Sequence, residues 1–69
     1  MDEAQLKEFC RLVDNSGMRR IEIVHYLGIG ERTFYRWQNG EARIPKTVMM
    51  AMYLLAREPL PEEYGPAKI

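Results

Sequence analysis

The stretch from Met18 to Gly40 decides the fold, and it reads MRRIEIVHYLGIGERTFYRWQNG. The pattern predicts two short helices, one from about Arg19 to Leu27 and one from Glu31 to Gln38 or Asn39. Between them, Gly28 supplies the backbone freedom that a sharp turn needs, and Ile29 is an apolar residue within that turn. A pair of helices joined by a short Gly-containing turn is a helix-turn-helix.

The second helix of this pair has two chemically different faces. At about 100° per residue, Phe34 and Trp37 fall on one side and are expected to be buried. The opposite arc, about 140° wide, holds Glu31, Arg32, Tyr35, Arg36 and Asn39. Stacking of Phe34 and Trp37 on single-stranded bases is the alternative, but three-residue spacing on an otherwise polar helix favours core packing.

The polar face carries the side chains that read base edges in a major groove. Arg32 and Arg36 lie one turn apart, and the planar fork of arginine fits the O6 and N7 acceptors of guanine. Glu31 can accept from cytosine N4, or it can pair with one of these arginines and orient it. Tyr35 can donate to a phosphate or press on a thymine methyl group. We therefore expect base contacts from Glu31, Arg32, Tyr35 and Arg36.

Four further basic residues are candidates for phosphate contacts, which fix the register on the duplex. Arg19 and Arg20 begin the first helix of the pair, where backbone amides and positive side chains together can hold a phosphate. Arg43 and Lys46 flank the loop that follows Gly40. Each of the four is equally well explained as a solvated surface residue.

One further helix is predicted on each side of this pair. The first covers Asp2 to about Asp14, with an apolar stripe of Leu6, Phe9, Cys10 and Val13, and it ends at 15–17, Asn-Ser-Gly. The other begins with Pro45 at its first position and covers Lys46 to Arg57. Prolines at 59, 61 and 66 forbid further long helix, so residues 59–69 are expected to be an extended or disordered tail after a domain of residues 1–58.

The last helix carries more apolar residues than a small domain needs. Its apolar set is Val48, Met49, Met52, Leu54 and Leu55. Because three neighbouring helices cannot cover so many, the excess predicts a homodimer contact through Met49, Met52 and Tyr53, although an ordinary core role is the alternative.

Composition limits the classes of function. A chain of 69 residues forms one domain, and its net charge is zero. Residues 17–46 nevertheless hold six basic and three acidic residues, whereas the flanks hold four and seven, so one positive face is expected. Cys10 has no disulfide partner, His25 has no second ligand beside it, and neither a bilayer-spanning run nor a secretory signal is present. We expect a cytoplasmic protein that is not an enzyme and uses no metal, cofactor or small-molecule ligand.

The segment from Met18 to Leu55 resembles the lambda-repressor-like, or Cro-type, helix-turn-helix domains of phage and bacterial regulators. The resembling residues are Leu27-Gly28-Ile29-Gly30, Thr33, Arg36-Trp37, Asn39-Gly40 and Ile44-Pro45. The resemblance implies an all-α, compact four- to five-helix bundle that binds double-stranded DNA as a dimer on an inverted repeat.

Residue roles follow from the same resemblance. In that family, the residues matching Glu31, Arg32, Tyr35 and Arg36 face the bases. Those matching Arg20, Thr33 and Asn39 often meet the DNA backbone. The small size also resembles that of stand-alone phage autorepressors, including anti-CRISPR-associated regulators. Val24 and Gly30 depart from the family pattern, which has a small residue and a Ser or Thr cap at these positions.

The sequence alone leaves three candidate functions. The leading one is a sequence-specific dimeric repressor that blocks a promoter by occupying it. The second is a protein-interaction module, either an adaptor or an antitoxin-like partner, which the neutral net charge and the acidic Pro-rich tail allow. RNA binding is the third. Sensitivity to salt separates the first from the second, because counterion release makes DNA binding fall steeply as salt rises.

Overall fold

Four α-helices and no strands make up the part of the chain, residues 3–64, that the computed structural model describes. They are α1 (Glu3–Ser16), α2 (Arg20–Leu27), α3 (Glu31–Gln38) and α4 (Lys46–Leu55). The prediction of an all-α bundle of four to five helices is confirmed, with four helices in residues 3–64. Asp2, the predicted start of the first helix, and residues 65–69 of the predicted tail lie outside the described residues.

Three predicted helix ends differ from the observed ones. Helix α1 continues past Asp14 to Ser16, whose hydroxyl group donates to the carbonyl of Val13 at 2.7 Å, and Gly17 then adopts φ 70°. Pro45 is the N-cap of α4, with φ −61° and ψ 146°, rather than its first helical residue. Helix α4 ends at Leu55, and Arg57 takes the left-handed φ of 58°.

The core forms where α1 packs against α3 and α4. The Phe9 ring on α1 lies 5.6 Å from the Phe34 ring and 6.2 Å from the Trp37 ring, measured between centroids. Leu12 is also fully buried, although the predicted α1 stripe omitted it. The buried set is Phe9, Leu12, Ile23, Val24, Phe34, Trp37, Ile44, Met49, Met52 and Tyr53.

The residues predicted for a dimer contact belong to this core. Met49 and Met52 are fully buried and Tyr53 is 3% exposed, so none of them offers a surface to a second chain. Part of the cover over this core comes from a segment after α4 that was not predicted to pack: Leu60 and Tyr64 fold back against the core. The Tyr64 ring lies 5.7 Å from the Tyr53 ring.

The expectation of an extended or disordered tail therefore fails in this part of the chain, because Leu60 and Tyr64 pack against the core and residues 62–64 form a turn.

A polar network fixes the chain at Glu58, just before Leu60 and Tyr64, to α1. Glu58 accepts hydrogen bonds from Arg11 Nη1 and from Asn15 Nδ2, each at 2.8 Å. Arg11 Nη2 also donates to Glu8 at 2.7 Å, and the Tyr53 hydroxyl group donates to the same Glu8 carboxylate. The bonds from Arg11 hold the pKa values of Glu8 and Glu58 below the ordinary glutamate value. Burial, with the bond to Glu8, raises the pKa of Tyr53 to about 12.

Candidate nucleic-acid interface

The turn between α2 and α3 is closed by two backbone hydrogen bonds. Gly28 adopts the left-handed conformation, with φ 71° and ψ 33°. Its N–H group donates to the His25 carbonyl at 3.2 Å, and the N–H group of Ile29 donates to the Val24 carbonyl at 3.1 Å. This pair of bonds is the Schellman arrangement, which satisfies the last carbonyls of a helix and turns the chain sharply. The helix-turn-helix connection predicted for 27–30 is therefore formed.

The starts of both helices lack the usual side-chain hydroxyl cap. Arg19 is the N-cap of α2, and its N–H group donates to the Glu22 carboxylate at 2.9 Å. Gly30 is the N-cap of α3 in an extended conformation, and its carbonyl accepts from the N–H group of Phe34 at 3.3 Å. Glu31 places a negative charge in the first turn of α3, where the helix dipole favours it.

Helix α3 separates into the two faces that the sequence predicts. Phe34 and Trp37 are 1% and 6% exposed, and both rings pack on Phe9. On the other side, an open depression runs along the helix. It is lined by Glu31, Arg32, Tyr35, Arg36, Asn39 and Glu41. The structure thus brings all four predicted base-contacting residues together on one exposed surface, which we call the α3 face.

Among residues 3–64, the arginines of the α3 face have no acidic partner. Within residues 3–64, the ion pairs are those of Arg11 with Glu8 and Glu58. The pairing of Glu31 with Arg32 or Arg36, which the sequence left open, is therefore not formed in this structure. The two guanidinium groups lie exposed on the α3 face, where a ligand of opposite charge or with acceptor atoms can reach them.

A side-chain contact between α2 and α3 was not predicted from the sequence. The Arg20 guanidinium carbon lies 4.8 Å from the centroid of the Tyr35 ring, within the range of a cation–π interaction. Fifteen positions separate the two residues, and no periodicity of a single helix connects them. Only the angle between α2 and α3 brings them together, so the sequence carried no local signal for it.

The remaining predicted phosphate contacts lie in different places. Arg19, Thr33 and Arg43 are exposed, and Asn39 is an exposed residue that lines the α3 face. Lys46 lines a separate depression, which it shares with the carboxylates of Glu8 and Glu63. The structure therefore places Asn39 with the base-contacting set and leaves Lys46 in mixed-charge surroundings.

No cluster of metal-binding side chains is found in the described range. Among residues 3–64, no three His, Cys, Asp or Glu side chains lie together in a way that suits a metal ion. Burial raises the pKa of the half-buried Cys10 thiol, which keeps it protonated and poorly nucleophilic. None of the helices α1–α4 has the length and apolar character needed to cross a bilayer.

The resemblance drawn from the sequence finds no independent support, because no protein-family model, curated protein or solved structure matches this chain.

Proposed function

We propose that this protein is a sequence-specific regulator of transcription that binds double-stranded DNA with α3 in the major groove. One observation carries the proposal: the α3 face presents two exposed arginines, without an acidic partner among residues 3–64, beside a carboxylate, a phenol and an amide, on a helix anchored by buried rings. An enzyme would need a nucleophile, base and orienting group in one place. The α3 face instead offers donors and acceptors arranged along a rod.

The dimensions of α3 suit a major groove. An α-helix with its side chains is about 10–12 Å in diameter, and the groove is about 12 Å wide. The eight residues of α3 span about 12 Å along the helix axis. Arg32 and Arg36 are separated by a rise of about 6 Å, which is somewhat less than two base-pair steps. The two side chains can therefore reach different base pairs, each with the bidentate geometry that guanine accepts.

The anchoring of α3 supports base reading over loose electrostatic contact. Phe34 and Trp37 pack on Phe9, while the turn at Gly28 fixes where α3 begins. A helix held at both its face and its start keeps constant the backbone positions from which the exposed side chains extend. Arg19 and Arg43 lie exposed to either side in the sequence and are the phosphate contacts that the proposal uses.

The proposal extends to two copies on an inverted repeat, acting in the cytoplasm as a repressor that occupies its operator. Their α3 helices would enter successive major grooves about 34 Å apart. The resemblance to Cro-type domains supports this part. Because Met49, Met52 and Tyr53 are core residues, the contact between copies uses other surfaces. Sedimentation of the free protein and of the protein on its selected duplex measures the number of copies.

Selection from a pool of random duplexes tests the proposal. We expect an inverted repeat to be enriched, and Arg36→Ala to weaken binding about 5- to 160-fold for each half-site, with the base preference lost at one position of each half-site. Lys7→Ala, which removes an exposed charge from α1, is the matched control and should leave the base profile unchanged. Absence of enrichment at both low and moderate salt refutes the proposal.

A protein-binding module is the second candidate, because large apolar side chains outside the α3 face are exposed. Ile21 and Tyr26 on α2 are each 58% exposed, and Leu54 on α4 is 64% exposed. Binding through these side chains would respond little to salt, whereas each phosphate contact contributes about 0.9 to the slope of log affinity against log salt. The slope measured for any partner that is found therefore distinguishes the two candidates.

A further inference from the structure

The Arg20–Tyr35 contact joins the first residue of α2 to the exposed surface of α3. The Arg20 guanidinium lies over one face of the Tyr35 ring, and the ring remains 40% exposed. Cation–π attraction depends on the orientation of the ring, because only the ring face is electron-rich. The contact therefore favours one orientation of the Tyr35 side chain among those that an exposed residue could adopt.

Of these two residues, Tyr35 belongs to the α3 face and Arg20 does not. Tyr35 lines the depression beside Arg32 and Arg36, whereas Arg20 is not among its lining residues. Arg20 lies beside the ring and outside the surface that the proposed function assigns to the bases. Its position suits an effect exerted through Tyr35 better than a direct contact with a base.

We propose that Arg20 is a positioning residue, which holds the Tyr35 ring in place and so determines the sequence preference that Tyr35 contributes. This inference rests on the proposed function. It differs from the phosphate contact expected for Arg20, since loss of a phosphate contact weakens all sequences alike. Loss of a positioning contact weakens binding only at the base pairs that Tyr35 reads, and only while the Tyr35 ring is present.

A double-mutant cycle on the selected duplex and its single-base variants tests the inference. The variants are Arg20→Gln, Tyr35→Leu and their combination. We expect Arg20→Gln to weaken binding about two- to five-fold, the range of an exposed cation–π contact, at the same base positions as Tyr35→Leu. In the Tyr35→Leu background, Arg20→Gln should have no further effect. Arg20→Lys, which keeps a cation, should restore part of the preference.

The neighbouring Arg19 supplies the matched control, because it is exposed and is proposed to contact phosphate. Arg19→Gln should weaken all duplexes equally, lower the salt slope by about one, and add to the effect of Tyr35→Leu. If Arg20→Gln behaves in this same way, Arg20 is a phosphate contact and the inference is overturned.

NMR of the free protein examines the contact without DNA. The side-chain methylene protons of Arg20 should show upfield ring-current shifts that Tyr35→Leu abolishes while the rest of the spectrum is retained. Absence of these shifts in the wild type overturns the inference, whatever the DNA result. If the wild type enriches no duplex, the proposed function fails and the specificity role fails with it. Enrichment without coupling in the cycle refutes the specificity role alone.

Discussion

Substitution of Gly28 by alanine tests the turn that sets the direction of α3. Gly28 lies at φ 71°, and no atom beyond its chain neighbours lies within 4 Å of where an added Cβ would stand. The cost therefore comes from the backbone alone, about 1–2 kcal/mol for an L-residue in the left-handed region. Reduced freedom of the unfolded chain offsets about 0.4–1 kcal/mol. A net loss of about 1 kcal/mol lowers the Tm of so small a domain by about 4–8 °C.

Two further variants make this prediction specific to the left-handed conformation. Asparagine tolerates that conformation, so Gly28→Asn should lose less stability than Gly28→Ala. Gly30, two residues away, has φ −86° and also has open space around an added Cβ. As the N-cap of α3, it should accept serine with a gain of about 0.5–1 kcal/mol, from a capping hydrogen bond and a less flexible unfolded chain.

Thermal unfolding followed by circular dichroism at 222 nm measures all three variants. The expected order of Tm is Gly30→Ser, wild type, Gly28→Asn and Gly28→Ala, from highest to lowest. A Gly28→Ala variant that melts at or above the wild-type temperature would show that residue 28 is not left-handed. The α2–α3 turn, and the placement of the α3 face that depends on it, would then be incorrect.

Three other predictions concern the core and the segment after α4. Met52→Ala should cost about 2–5 kcal/mol in urea unfolding, because Met52 is fully buried; an unchanged monomer with a weakened dimer would contradict the core assignment. Arg57→Gly should raise the free energy of unfolding by up to about 1 kcal/mol, because it relieves a left-handed φ of 58°, and a decrease would speak against that backbone. Because Glu8 and Glu58 have lowered pKa values in the folded state, their contribution is complete above the unfolded value of about 4.3 and is lost as pH falls through the folded pKa values. The urea midpoint should therefore drop between about pH 5 and pH 3, and Arg11→Ala should show a smaller drop than the wild type if the network is the cause.

The helix-turn-helix was predictable because its signals are local. Helical spacing within eight residues separates Phe34 and Trp37 from the polar side of α3, and a glycine marks the turn before it. Both signals lie within a few residues of the structure that they predict. The four predicted base-contacting residues are brought onto one surface for this reason.

The surroundings of α4 were not predictable in the same way. Helix α4 does carry an excess of apolar residues, but the prediction considered only helices as neighbours that could cover them. Leu60 and Tyr64 supply part of the cover. They lie between prolines, which indicate the absence of helix but do not indicate whether the segment packs. Apolar residues within a Pro-rich segment were the available signal for docking. After this cover is added, Leu54 is the one large apolar residue of α4 that remains largely exposed.

The Gln5 side chain has a consequence for the loop between α3 and α4. Its amide group donates to the carbonyl of Ile44 at 2.9 Å and accepts from the N–H group of the same residue at 3.4 Å, as a neighbouring β-strand would. Ile44 is buried although it belongs to no helix, so the loop is fixed at this point when the chain folds. In the proposed function, Arg43 would therefore contact a phosphate from a preorganised backbone, and the conformational entropy of ordering the loop would be lost on folding rather than on binding.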